Sequence, residues 1–105
     1  MTPPSASIHF TQGRLYVPSA EYDRHLAGVS TVILLRNEAD LLVLPVSNVV
    51  AGGYMLKIRN SAGDRVVAGA DFFRDQGLGD NEEWHGVSNW CDVYGGIRLY
   101  EFFRM

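Results

Sequence analysis

The chain has 105 residues, 47% hydrophobic and 20% charged, with a formal net charge of −3. That length and balance suit one globular core, with too much apolar content for disorder and too little for a membrane protein. The longest mainly apolar stretch, Leu41 to Ala51, is interrupted by Pro45, Ser47 and Asn48; it falls far short of the roughly 20 residues a membrane helix requires, and the acidic balance excludes a basic footprint spread over the whole molecule.

Residues 1–7 have neither the positive start nor the apolar run of a signal peptide and read as a disordered tail, so the expected compartment is the cytoplasm. Apolar alternation over 7–11 and 14–17, around Gln12-Gly13, predicts a tight hairpin. Pro18 breaks the ladder, and Ser19 is placed to cap a short helix running to about Ala27, with Glu21 and Asp23 in its first turn, Arg24 and His25 near its end, and Gly28 as its stop. A β-branched run from Val29 to Arg36, a turn over 37–40 and the run from Leu41 to Val46 predict a second hairpin. Its strands are apolar on successive residues, the pattern of strands covered on both faces or lying at a dimer interface.

After a linker around 47–53, the strand predicted over 54–59, the turn 60–64 and the strand 65–68 repeat the first hairpin. A second short helix follows over 69–76, stopped by Gly77 or Gly79. The polar stretch Asp80 to Glu83 reads as a solvated loop. Trp84 opens a mixed segment through Tyr94, Gly95-Gly96 a turn, and Ile97 to Phe103 a last strand.

Sliding the chain on itself by fifty positions sets 13–24 against 63–74 without gaps. Gly13 meets Gly63, Val17 meets Val67, Ala20 meets Ala70 and Arg24 meets Arg74, while Glu21 meets Asp71 and Tyr22 meets Phe72. The expected domain, 8–105, is therefore two similar units, about 8–46 and 54–103. Convergent demands of two strand-turn-helix units for a turn glycine, an early acid and an inward aromatic are the alternative explanation.

Gly13-Arg14, the apolar Leu15-Tyr16, Val17-Pro18 and the acidic, aromatic and Arg-bearing helix that follows resemble the AbrB-like swapped-hairpin module of bacterial transition-state regulators and antitoxins, found in tandem in MraZ-like proteins. The resemblance implies a mainly β fold with two short helices, closed by two copies into a swapped-hairpin β-barrel. It also implies a DNA-binding regulator, and a dimer where one chain does not supply both copies. The second unit departs from the pattern, with Gly63-Asp64-Arg65 in place of Gly-Arg and Ala68 in place of Pro18.

Eight of the nine cationic residues are Arg, the residue suited to bidentate contacts with phosphate and guanine. Arg24 aligns with Arg74 and Arg14 lies one place from Arg65, a set suited to paired contacts on phosphates or base edges; the alternative is local pairing with neighbouring acids. The aromatics Trp84, Trp90, Tyr100, Phe102 and Phe103 form the other candidate set, an interface for a partner protein, with Phe102-Phe103, so near the chain end, its most interface-like pair; core packing is the alternative. His9, His25 and His85 show no metal-ligand spacing in sequence, and no metal or cofactor is expected. Cys91, the single cysteine, cannot form an internal disulfide and reads as a buried small hydrophobe; a thiol, base and orienter drawn from Cys91, His85 and Asp92 is the weaker alternative. Gly52-Gly53 and Gly95-Gly96 precede strands rather than helices and read as turns. The expected function is a small non-enzymatic regulator binding DNA or a partner protein through an Arg-bearing face, with a partner-binding accessory module on the aromatic surface as the alternative.

Overall fold

The computed structural model describes residues 7–46 and 52–104. Apart from Ser7, the expected tail lies outside the described residues, as do residues 47–51 of the linker expected over 47–53. Strands β1 (Ile8–Thr11) and β2 (Arg14–Val17) form the first hairpin. Its two connecting residues, Gln12 and Gly13, both have positive φ, 50° and 74°, the conformation whose twist matches that of the flanking strands.

Helix α1 (Ser19–His25) follows. Pro18 occupies the cap position and Ser19 is the first helical residue. The Ser19 N–H donates instead to Asp64 Oδ1 at 2.8 Å, so an acid of the second unit caps the helix of the first. Strands β3 (Thr31–Asn37) and β4 (Asp40–Val46) form the second hairpin.

The single strand predicted over 54–59 is split into β5 (Tyr54–Met55) and β6 (Lys57–Ile58). The chain changes sheet at Leu56, which is buried and whose N–H donates to the Ser30 carbonyl at 2.8 Å. Strand β7 (Arg65–Ala68) leads to helix α2 (Ala70–Asp75). Strands β8 (Glu83–Gly86) and β9 (Asn89–Cys91) come next, so Glu83, expected in a loop, lies on a strand.

The last strand, β10 (Gly96–Leu99), stops four residues before the predicted end, and Phe102–Arg104 form a 3₁₀ turn. The cause is distant in sequence: the buried Asp40 carboxylate accepts the Glu101 N–H at 2.8 Å and pairs with Arg98 at 2.6 Å, while Glu101 turns out of the ladder with φ 60°. Gly96, expected in the turn, is the first residue of this strand, paired with Cys91, and its lack of a side chain admits the neighbouring strand: a Cβ there would meet the Val43 carbonyl at 2.7 Å.

Among the described residues the strands form two five-stranded sheets, in the orders β6-β7-β2-β1-β8 and β5-β3-β4-β10-β9. Every pairing is antiparallel. The fold is mainly β with two short helices, as expected, but the sheets do not close into a barrel. At both sides the chain passes from one sheet edge to the other, at Leu56 and at Val87-Ser88, without carrying the ladder across the corner. Between the sheets, Ile8, Phe10, Leu15 and Val67 pack against Val32, Leu34, Leu41, Ile97 and Leu99, with Phe73 and Phe102 completing one cluster. No helix among the described residues is long and apolar enough to cross a membrane.

The fifty-residue relation reappears in the register. Leu15 pairs with Val67 and Val17 with Arg65, so the β2–β7 ladder is reciprocal about the Tyr16–Val66 pair. The units also exchange strands: β8 of the second pairs with β1 of the first, and β3 of the first pairs with β5 of the second. The turn glycine Gly13 lies against Ala70 at the start of α2, and Gly63 faces Ser19 at the start of α1.

Candidate binding face

Alternation along β1 and β2 sends Ile8, Phe10, Leu15 and Val17 into the core and leaves His9, Thr11, Arg14 and Tyr16 on the outer face of the first sheet. Residues paired directly across a ladder share a face. One row therefore runs over all five strands, Lys57–Val66–Tyr16–His9–His85, and the next is Ala68–Arg14–Thr11–Glu83.

The first row is a stack of rings and cations. The Arg59 guanidinium lies 4.6 Å from the Tyr16 ring centroid. The His9 ring is 6.0 Å from Tyr16 and lies parallel to His85 at 4.0 Å, with an interplanar angle of 11°. Beside the row lies a cavity of about 300 Å³ whose lining includes His9, Tyr16, Arg59, Asp64 and Arg65. Arg14, Lys57 and Arg59 serve this face, with Arg65 at the cavity beside it, against the carboxylates Glu83 and Asp64. The molecule's acidic balance is locally reversed.

Both carboxylates are already engaged. The Asn60 side chain donates to Asp64 at 3.0 Å, and with the Ser19 N–H it holds the Asp64 carboxyl below the usual range. Glu83 Oε1 lies 3.3 Å from His85 Nε2 and 3.2 Å from His9 Nε2, and these two contacts, in that order, hold its carboxyl low. The donor atoms of His9, Glu83 and His85 lie within 4.8 Å of one another, a group with the chemistry of a metal-ligand set. Sequence spacing concealed it, because His9 and His85 meet only through the β1–β8 ladder; the available signal was Glu83-Trp84-His85, whose alternation on a strand puts the two ligands on one face.

Of the four arginines singled out in the sequence, only Arg14 belongs to these two rows. Arg65 has the opposite parity: it is half-buried, its guanidinium lies 3.9 Å from the Tyr22 ring centroid, and it donates to the Gly63 carbonyl. Arg24 and Arg74 are exposed on α1 and α2, Arg24 at 3.5 Å from the buried Glu21. Lys57, Arg59 and Tyr16 were not distinguished by the sequence reading, since only the register aligns them.

The aromatic set divides. Phe102 is fully buried, the opposite of the surface position expected so near the chain end, because the 3₁₀ turn folds it back between the sheets. Trp84 and Phe103 are partly buried against the core, with Arg36 over the Phe103 ring at 4.5 Å. Trp90 and Tyr100 remain exposed, Trp90 stacked on His25 at 5.8 Å between centroids. Cys91, expected to be buried, is half-buried on β9 in the second sheet, whereas His85 lies on β8 in the first. Comparisons with protein families, with curated proteins and with solved structures find no match to this chain.

Proposed function

We propose that the chain is a non-enzymatic binding module that engages nucleic acid through the outer face of its first sheet. The observation that carries this reading is the cross-sheet row of Lys57, Tyr16, His9 and His85 with Arg59 laid on Tyr16. Single-strand binders combine cations that follow the phosphates with flat groups on which bases stack, and a guanidinium plane serves as such a group. Here Arg14 and Lys57 supply charge to the backbone, and Arg59, placed over Tyr16, supplies the guanidinium plane. The reciprocal β2–β7 ladder and the exchanged strands support the regulator reading implied by the swapped-hairpin resemblance, with Arg14 as the shared cation.

The test is a fluorescence titration of labelled single-stranded and duplex DNA at about 20 and 200 mM salt. Stacking losses of about 1–3 kcal/mol per base make Arg59→Ala and Tyr16→Ala weaken binding by roughly 5- to 150-fold, and Lys57→Ala should lower the salt slope by about 0.7–0.9. Absence of binding to either form at low salt, where phosphate contacts are strongest, refutes the reading.

A second reading is favoured by the exposed apolar side chains of the other sheet. Leu35 on β3, and Tyr94 and Tyr100 in the segments flanking β10, are all more than two-fifths exposed, a surface suited to a partner protein or a second copy of the chain. Sedimentation of the chain alone over a concentration series reads the self-association half of that alternative.

A further inference from the structure

We propose that His9, Glu83 and His85 form a surface site for a divalent transition-metal ion of the zinc class, held by the two imidazole Nε2 atoms and a carboxylate oxygen, with a further position open to solvent. This inference does not depend on the nucleic-acid reading.

Three observations carry it. The first is spacing: at metal–ligand bonds of about 2.0–2.2 Å, neighbouring donors of a tetrahedral zinc lie about 3.3–3.6 Å apart. The two imidazole nitrogens lie 3.2 and 3.3 Å from Glu83 Oε1. The second is proximity: both Nε2 atoms lie against the same Glu83 oxygen, from exposed rings whose centroids are 4.0 Å apart, and binding one ion requires a ring to turn so that the two in-plane lone pairs meet. The third is backbone support: His9 and His85 are directly paired, and Glu83 is two residues from His85 on the same strand face, so the set is fixed by the ladder rather than by a loop.

The donor chemistry selects the ion. Imidazole nitrogen with a single carboxylate suits zinc, cobalt or nickel over calcium or magnesium, which require oxygen-rich shells. All three ligands are at least partly exposed, so an ion enters without opening the core.

The test uses the untagged 105-residue chain, stripped with a chelator and titrated calorimetrically with zinc chloride, and in parallel with cobalt chloride to read visible d–d absorption. One ion per chain is expected, with the absorption intensity of a four-coordinate site. His9→Ala and His85→Ala should each lower affinity by more than tenfold and abolish the zinc-dependent rise in thermal midpoint. Their midpoints without metal should stay near that of the unmodified chain, because both side chains point away from the core. Glu83→Gln, which keeps the side-chain shape and removes the charge, should also weaken binding by about tenfold or more. No binding at millimolar zinc, or unchanged affinity in both histidine variants, overturns the proposal.

Discussion

Phe102→Ala separates a surface role from a core role at one position. The ring is fully buried and meets Phe10 at 5.1 Å, Trp84 at 5.2 Å, Phe103 at 5.0 Å and Phe73 at 5.7 Å between centroids. It thus joins strands of the first sheet, helix α2 and the 3₁₀ turn in one aromatic cluster. Truncating a buried phenylalanine costs about 3–5 kcal/mol, the lost transfer energy plus the cavity left behind. That is a large share of the roughly 5–15 kcal/mol available to an ordinary domain. At about 5 °C per kcal/mol for a chain of this size, the thermal midpoint should fall by about 15–25 °C. Urea unfolding followed by circular dichroism should show a lower midpoint with an unchanged slope. Phe102→Leu, which keeps most of the volume, should lose about 1–2 kcal/mol. A loss below about 1 kcal/mol in Phe102→Ala, together with weakened self-association or partner binding, would refute the core assignment.

The Asp40 carboxyl offers a pH test. Burial pushes it up, but the Glu101 N–H and the Arg98 guanidinium outweigh burial and hold it below its usual value. Its folded pKa is depressed, so its stabilisation is present above the unfolded value near 3.9 and is lost as pH falls through the lower folded value. Asp40→Asn should cost about 1–3 kcal/mol at neutral pH, and urea midpoints of variant and parent should converge in acid; a pH-independent gap would contradict the assignment. The turn glycines make a matched pair. Gly63→Ala meets only the strain of φ 91°, with its nearest neighbour at 3.6 Å, whereas Gly13→Ala adds a 2.9 Å contact with Ala70 Cβ to φ 74°. Gly13→Ala should be the costlier by about 1–3 kcal/mol, and equal losses in urea would show that α2 yields without resistance.

The local parts of this fold were legible in the sequence. Gln12-Gly13 and the run Asn37 to Asp40 announce their hairpins through residues that tolerate turn conformations, and both helices fall where Pro18 and Gly69 interrupt the strands. What escaped depends on partners distant in the chain. Nothing near Leu56 reveals that its two sides join different sheets, since only Ser30 and the ladders of β3 and β7 decide it. The last strand ends early because Asp40, more than fifty residues away, captures the Glu101 N–H. Arg14 and Arg65 are neighbours in the aligned repeat, yet the pairing of Arg65 with Val17 gives the two opposite parity. The His9, Glu83 and His85 group required the register of a strand pair separated by most of the chain. Long-range register is what short-range pattern reading lacks.

The exchange of strands between the halves bears on how the molecule assembles. Without β8 the first half leaves β1 as a bare edge, and without β5 and β10 it leaves both sides of the β3–β4 hairpin unpaired. Neither half therefore holds a complete sheet, and productive folding must wait for segments made late in synthesis to reach those made first. Such closure of large loops before any reward slows folding. A chain severed between Val46 and Tyr54 becomes two complementary fragments, each supplying the edges that the other lacks, and two intact chains can trade the same halves to build a domain-swapped pair.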